Sequence, residues 1–368
     1  MTYIWQFPGW PEFHYDASQV EESVLRFMEK TGRVSGLLDG LPESTRIDSV
    51  IDLMVSEAVT TSQIEGEYLS RQDVLSSIRN NLGLPGAVER IPDQRAQGIA
   101  GLMLAVREEF AEPLTEAMLF DWHSQLMLGN TKIAIGAWRT HSEPMQVISG
   151  PIGKEKIHFE APPSVAVLEE MRQFTAWFNN THTNGPHTIT QAPIRAALAH
   201  LYFETIHPFE DGNGRIGRAI SEKALSQGIG RPVLLSLSSV IEANRQAYYD
   251  ALQRAQRSRD QTPWITYFTN VCLQAQISAE AQIAFTLKKT RFFDQYRDQL
   301  NARQHRVILR MLEEGPTGFE GGMNARKYVG IAKTSKATAT RDLQDLATRG
   351  ILRIQGGGRS TRYVLPFD

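Results

Sequence analysis

A chain of 368 residues has room for two or three domains, each with its own core. Its 41% hydrophobic and 22% charged residues are the balance of a soluble globular protein, and a net charge of −2 excludes a polyanion binder or an acidic tail protein defined by bulk charge. One cysteine, Cys272, excludes a disulfide framework and a multi-cysteine zinc site and is compatible with a reducing cytosol.

The opening stretch MTYIWQFPGWPEF has no basic leader followed by an apolar run, and no apolar run approaches the roughly 20 residues that span a bilayer. A soluble, cytoplasmic chain without a membrane partner is expected. Trp5, Phe7, Pro8, Trp10, Pro11 and Phe13 crowd together. Prolines at that density oppose a helix, so an extended strap packed down by its aromatics is expected. Helices are expected over 18–39 and again after Pro42, where Ile47, Val50, Ile51, Met54, Ala58 and Thr61 fall on one apolar stripe. A polar connection near 80–92 leads to helical patterns over 94–109 and 115–128. Between Met145 and Phe159, two β-leaning runs are separated by Gly150, Pro151 and Gly153, the pattern of a hairpin with a loop longer than two residues. Helical patterns return over 165–179 and 193–206, the latter with Pro193 in its first turn.

From about Asn301 the pattern is helix, helix, helix, hairpin, the order of a winged helix. Between Arg303 and Arg362 twelve basic residues face five acidic ones, a balance of +7 against −9 for the remainder. That asymmetry separates two parts of the chain. Such a module contacts DNA, with 335–349 in a major groove and the glycine-rich wing on phosphate, or docks a protein. The expected organisation is a strap and helices over 1–92, a helical core with an inserted hairpin over 93–275, a helical linker over 276–300 and a winged helix over 301–368.

The chemistry concentrates in His207-Pro208-Phe209-Glu210-Asp211-Gly212-Asn213-Gly214-Arg215-Ile216-Gly217-Arg218. Gly212, Gly214 and Gly217 satisfy G-x-G-x-x-G. A dinucleotide site, however, needs a preceding strand and an acid about 20 residues on, and neither is found. A glycine-rich turn opening a helix offers free amides and a positive dipole end to phosphate. Arg215 and Arg218, three apart, can grip phosphate oxygens as forks. Asp211 is a hard oxygen ligand of the kind Mg²⁺ accepts beside substrate phosphates. His207 is the nearby group able to take a proton at neutral pH. The constellation suits transfer of a phosphorus group to a hydroxyl.

These residues resemble the Fic family motif, His-Pro-Phe-x-Asp/Glu-Gly-Asn-Gly-Arg-x-x-Arg, without departure, and the resemblance extends over roughly 115–256. It implies a mainly α fold: a helical Fic core whose hairpin flap aligns a target peptide by β-augmentation, with the winged helix appended. The implied activity is transfer of AMP from ATP, with Mg²⁺, to a Tyr, Thr or Ser hydroxyl of a target protein, which can be this chain itself. His207 would be the base and Asp211 the metal ligand. Gly212, Asn213 and Gly214 would support the anion, and Arg215 and Arg218 would hold the β- and γ-phosphates, with Ile216 and Gly217 inside the motif. Glu155, Lys156, Ile157 and His158 look like the part of the flap over the nucleotide. Tyr248 and Tyr249 look like the segment beside the adenine, with core packing as the other reading, and Gln256 stands where some relatives place a further polar contact.

Glu65 lies eighteen residues after Ile47, five helical turns, so it points from the buried stripe at its last turn. Either it reaches water where the helix ends at Gly66 or it finds a partner, since burying a lone carboxylate is costly. Thr61, Glu65 and Gly66 resemble the Ser/Thr-x-x-x-Glu-Gly/Asn inhibitory helix of the Fic family. That resemblance implies that Glu65 pairs with Arg218 and keeps it from the γ-phosphate. In some relatives the same glutamate supports removal of AMP. The other readings are therefore an AMP-removing enzyme on the same site, or a DNA-binding regulator that senses nucleotide; a homodimer governing the inhibitory helix is also implied.

Overall fold

A computed structural model of the chain describes residues 2–84, 91–149 and 156–367. The chain divides into two compact units, Met1–Arg33 with Ile47–Ala279, and Val34–Arg46 with Glu280–Asp368. No helix among the described residues is long and apolar enough to cross a membrane.

In chain order the helices are α1 (Glu21–Asp39), α2 (Glu43–Ile64), α3 (Arg71–Asn81), α4 (Gln94–Glu108) and α5 (Glu116–Leu126). The hairpin β1 (Gln146–Ser149) and β2 (Lys156–Glu160) follows, then α6 (Ser164–Asn180), α7 (Ala192–Ile206), α8 (Asn213–Ile229), α9 (Leu237–Ala243), α10 (Arg245–Ala255) and α11 (Thr262–Tyr296). Short polar side chains start several of these: Ser70, Asp93, Thr115 and Asn244 each accept a first-turn amide of the helix that follows.

The first unit is built around α7, in which every residue is buried. A helix apolar on all sides has to be enclosed, and α8 packs along it. Small residues permit the approach: a Cβ on Gly228 would lie 2.5 Å from that of Ala192. The one buried cation on α7, Arg195, stacks over Phe178 at 4.2 Å and donates to Phe178 O (2.7 Å) and Gln227 Oε1 (2.9 Å). Burial depresses its pKa to about 10.

The opening segment is not extended throughout, because Ile4–Gln6 forms a 3-10 turn. Its aromatics do pack: Trp10 and Phe13 meet Tyr202 edge-on at 4.9 and 5.6 Å. The hairpin is antiparallel, pairing Gln146 with Glu160 and Ser149 with Lys156, with an irregularity between Val147 and Ile148. α2 departs from a one-stripe helix. Ile47 and Val50 are half-buried, whereas Leu53, Val55, Glu57 and Ser62 are buried as well, so its second half is enclosed nearly all round.

The second unit contains α12 (Ala302–Leu312), α13 (Ala325–Ala332), α14 (Lys336–Thr348) and the hairpin β3 (Arg353–Gln355) and β4 (Arg362–Val364). Its core gathers Val307, Ile308, Met311, Tyr328, Leu343 and Leu346. Met323 exchanges both backbone hydrogen bonds with Tyr363 at 2.8 Å, adding a third extended segment beside β4. Residues 276–296 are the second half of α11, one continuous helix.

Candidate active site

The motif forms the loop between α7 and α8. His207 caps α7 in the left-handed region (φ 50°, ψ 59°), a conformation a non-glycine residue adopts only when its surroundings impose it. Arg139 imposes it. Its Nε donates to His207 O (2.8 Å) and its Nη2 to Ile206 O (3.2 Å) and Pro162 O (2.5 Å), while Nη1 donates to Ser164 Oγ (2.8 Å). One buried guanidinium therefore satisfies the orphan carbonyls at the end of α7 and ties them to the exit of the hairpin. Burial lowers its pKa to about 10.

Asn213 closes the loop on itself. Its side chain accepts from Phe209 N and donates to Phe209 O, both at 2.9 Å, so it shapes the turn. His123 stacks on Phe209 at 4.0 Å, and its Nδ1 accepts from Gly136 N at 2.9 Å. The proton therefore lies on Nε2, which faces Asp211 O at 3.3 Å. Gly212 (φ 81°) turns into α8 where a Cβ would strike Met127 Cε at 2.4 Å.

The two arginines of α8 are almost fully buried and both are held. Arg218 Nη2 pairs with Glu65 Oε1 at 2.7 Å, and its Nε and Nη2 donate to Thr61 Oγ1 (2.7 Å) and Thr61 O (3.0 Å). Burial alone would depress the Arg218 pKa, but the Glu65 carboxylate carries it above the ordinary value. Arg215 Nη1 pairs with Glu67 Oε2 at 2.7 Å, with Asp211 Oδ1 3.6 Å from its Nη2. Gly66 (φ 81°) turns the chain between the two glutamates. Glu65 lies one residue beyond the end of α2, which stops at Ile64.

Glu65 also sits on the amide-bearing turn: a Cβ on Gly214 would lie 2.3 Å from Glu65 Oε1. Several contacts fix the helix that carries it. Buried Glu57 accepts from Ser236 Oγ (2.8 Å), Ser238 N (2.9 Å) and Ser238 Oγ at the start of α9. Gln63 Nε2 donates to Glu242 Oε1 at 3.1 Å. The last carbonyl of α2, Ile64 O, accepts from Arg245 Nη1 (3.3 Å) and Tyr249 OH (3.5 Å).

Behind His207 lies Glu204, with Oε2 3.6 Å from His207 Nδ1. Burial, reinforced by the charge of Glu65 and opposed by Arg218, raises Glu204 to about 8, so its carboxyl is largely neutral at pH 7. Burial, and then the charge of Arg139, lowers His207 to about 4, leaving its ring neutral. Gly217 makes room for this carboxyl, since a Cβ there would lie 2.4 Å from Glu204 Oε1. Ile216 is a core residue.

The other expected residues divide. Tyr248 is buried with its hydroxyl 2.8 Å from His200 Nε2, while Tyr249 is 40% exposed against the end of α2. Gln256 is buried, donating to Glu204 O (3.3 Å) and accepting from Ile4 N (2.8 Å). Lys156 and Ile157 are exposed, and His158 O accepts from Gln253 and Arg257. Glu155 lies outside the described residues. Arg139, Glu67, Glu204, Glu57 and His123 were not singled out from the sequence. The only local signal for any of them is the spacing of Glu67 two residues beyond Glu65.

The donor set fits a triphosphate with a hard cation. Asp211 is about half exposed at the mouth, Arg218 Nη1 and Arg215 Nε are buried without a hydrogen-bond partner among the described residues, and the Gly214 turn leaves a cradle that a Cβ would fill.

Residues 113–225 match the Fic/DOC family, and residues 3–84 match a domain of unknown function, DUF4172. The protein adenylyltransferase fic-1 of Caenorhabditis elegans is 32% identical over 211 residues, 56% of this chain and 37% of that protein. The chain spans between a fifth and two fifths of the length of the curated relatives it matches. A crystal structure of a Fic family protein from Desulfovibrio desulfuricans G20 covers 94% of this chain and 96% of its own, with a TM-score of 0.51 and 20% identity. That of a Fic domain containing signaling protein from Bacteroides thetaiotaomicron VPI-5482 covers 72% and 97%, with a TM-score of 0.55 and 17% identity. The loop from His207 to Arg218 thus lies in the Fic/DOC segment of a Fic fold, and Glu65 and Glu67 lie in the preceding matched segment.

Proposed function

We propose that the chain is a self-inhibited protein adenylyltransferase, with ATP as AMP donor and a hydroxyl side chain of a protein as acceptor. The observation that carries this reading is the Glu65 carboxylate, 2.7 Å from Arg218 and lying on the Gly214 turn, where the start of α8 would otherwise receive phosphate.

In the active arrangement Glu65 and Glu67 leave, and Arg218 and Arg215 turn their forks to the phosphate oxygens. Neutral His207 accepts the proton of the target hydroxyl as its oxygen bonds to the α-phosphorus. The bond from the α-phosphorus to the β-phosphate oxygen breaks, and pyrophosphate departs against the two arginines. Asp211 is the residue that would hold Mg²⁺, which when bound would supply neutralisation of phosphate charge. Departure of Glu65 also removes the anion that helps keep Glu204 neutral, so Glu204 gains negative character beside the histidine that is becoming charged. Arg139 keeps the histidine carbonyl, and hence the ring, in place throughout.

The hairpin supports docking of an extended target strand on β1. Contacts from Trp5 (Nε1 to Glu160 O, 2.8 Å), Gln253 and Arg257 engage the carbonyls of β2, whereas among the described residues no bond engages the outer edge of β1.

The test is intact mass after incubation with ATP and Mg²⁺. Glu65→Gly should gain one or more AMP groups on itself or on an added cell extract, and Glu65→Gly/His207→Ala should gain none. Equal labelling of both variants would remove His207 from its role.

A further inference from the structure

We infer that the second unit is a winged helix that binds double-stranded DNA, presenting the outward face of α14 to the major groove. α13 and α14 are joined by three residues, Lys333 in the left-handed region (φ 48°), Thr334 and Ser335, and Ser335 accepts from Thr338 N to start α14. That is the short turn of a helix-turn-helix. The Met323 segment and the β3–β4 hairpin, with exposed Gly356–Gly358 at its tip, complete the wing.

α14 has two faces. Ala339, Leu343 and Leu346 are buried in the core of the unit, whereas Lys336, Ala337, Thr340, Arg341, Gln344 and Thr348 are exposed. One acid, Asp345, shares the exposed side of the helix, its side chain half exposed. Both acids of the helix are engaged within the unit: Asp342 by Arg303 Nε (3.1 Å) and Tyr328 OH (2.8 Å), Asp345 by Gln304 Nε2 (2.8 Å) and Arg349. Lys333, Lys336 and Arg341 take part in no ion pair among the described residues. Positive charge is therefore left for an outside partner.

The side-chain types choose that partner. Arg and Lys reach guanine O6 and N7, Gln reads adenine, and the methyl groups of Thr and Ala meet the thymine methyl. A protein-docking face would instead have an apolar or aromatic centre and few lysines; Ala337 is the one apolar side chain here. The +7 balance of residues 303–362 complements phosphate, and the −9 of the rest opposes it, so binding should be strongest at low salt.

The experiment is fluorescence anisotropy of the full chain with a random-sequence duplex of about 20 bp, two helical turns, from roughly 50 to 200 mM NaCl. The expected dissociation constant is on the order of 10⁻⁴ to 10⁻⁶ M near physiological salt and tighter below it. Lys336→Gln/Arg341→Gln should weaken binding about tenfold or more and reduce the salt slope by about 2, with an unchanged thermal melt. His207→Ala should bind as the wild type does. The control Arg26→Gln/Arg172→Gln, on exposed positions of the first unit, should have little effect. Absence of binding at 50 mM salt overturns the inference, as does a folded α14 variant that binds like wild type or a control that loses as much as the α14 pair.

Discussion

The arginines of α8 and the basic residues of α14 look alike in sequence, each set near the start of a helix, yet the fold treats them in opposite ways. Arg215 and Arg218 are buried and each is met at 2.7 Å by a glutamate from the turn just beyond α2. Lys336 and Arg341 are exposed, while the acids of their own helix are engaged elsewhere. A buried cation has to have a partner, because an unpaired one costs several kcal/mol, whereas an exposed cation is stable in water without one. A held cation thus marks a site that must be released before it acts, and an unheld one marks a surface that is ready.

The sharpest way to break this contrast is to disable one region and read the other. In the Glu65→Gly background, His207→Ala should lower AMP transfer about 10²–10⁴-fold, the range for loss of a general base, while duplex binding stays as it was. Stability separates the regions next. Arg218→Gln, which loses charged hydrogen bonds to Glu65 and Thr61, should cost about 2–3 kcal/mol in denaturant melts, and Arg341→Gln less than about 0.5.

A pH series probes the same pocket. Glu204 keeps its proton up to about 8 when folded and loses it in the ordinary carboxylate range when unfolded. Between those values the folded chain binds more protons, so this group makes stability fall as pH rises. Glu204→Gln should remove that contribution. Its melting temperature relative to wild type should climb from pH 5 to pH 8, by the equivalent of about 3 kcal/mol, and a flat difference would contradict the neutral carboxyl. The smallest effect concerns Glu67. If Arg215 is held as Arg218 is, Glu65→Gly/Glu67→Ala should transfer AMP several-fold faster than Glu65→Gly, in line with one charged hydrogen bond. A slower double variant would mean that Glu67 orients Arg215.

What the sequence made legible was local. The loop from His207 to Arg218 has fixed spacing, the hairpin runs alternate between glycines and a proline, and α12 and α14 have clear apolar faces. The rest depends on contacts between distant segments. Arg139 reads as an arginine after a tryptophan, and its function comes from carbonyls 23 and 68 residues away. Glu57 looks like a surface acid on a helix until α9 closes over it 179 residues later. Enclosure of α2 on nearly all sides is invisible to a stripe count because Glu57 and Ser62 are polar. The same holds for Gln256, whose amide turns inward to Glu204 O, a contact its local sequence does not announce.

The most direct measurement compares labelled-AMP incorporation by wild type and Glu65→Gly at equal concentration, with ATP and Mg²⁺. A gain of about 10–100-fold is expected in the variant, the worth of one charge-assisted pair of about 1.5–3 kcal/mol. Equal rates from two folded proteins, or a faster wild type, would contradict it.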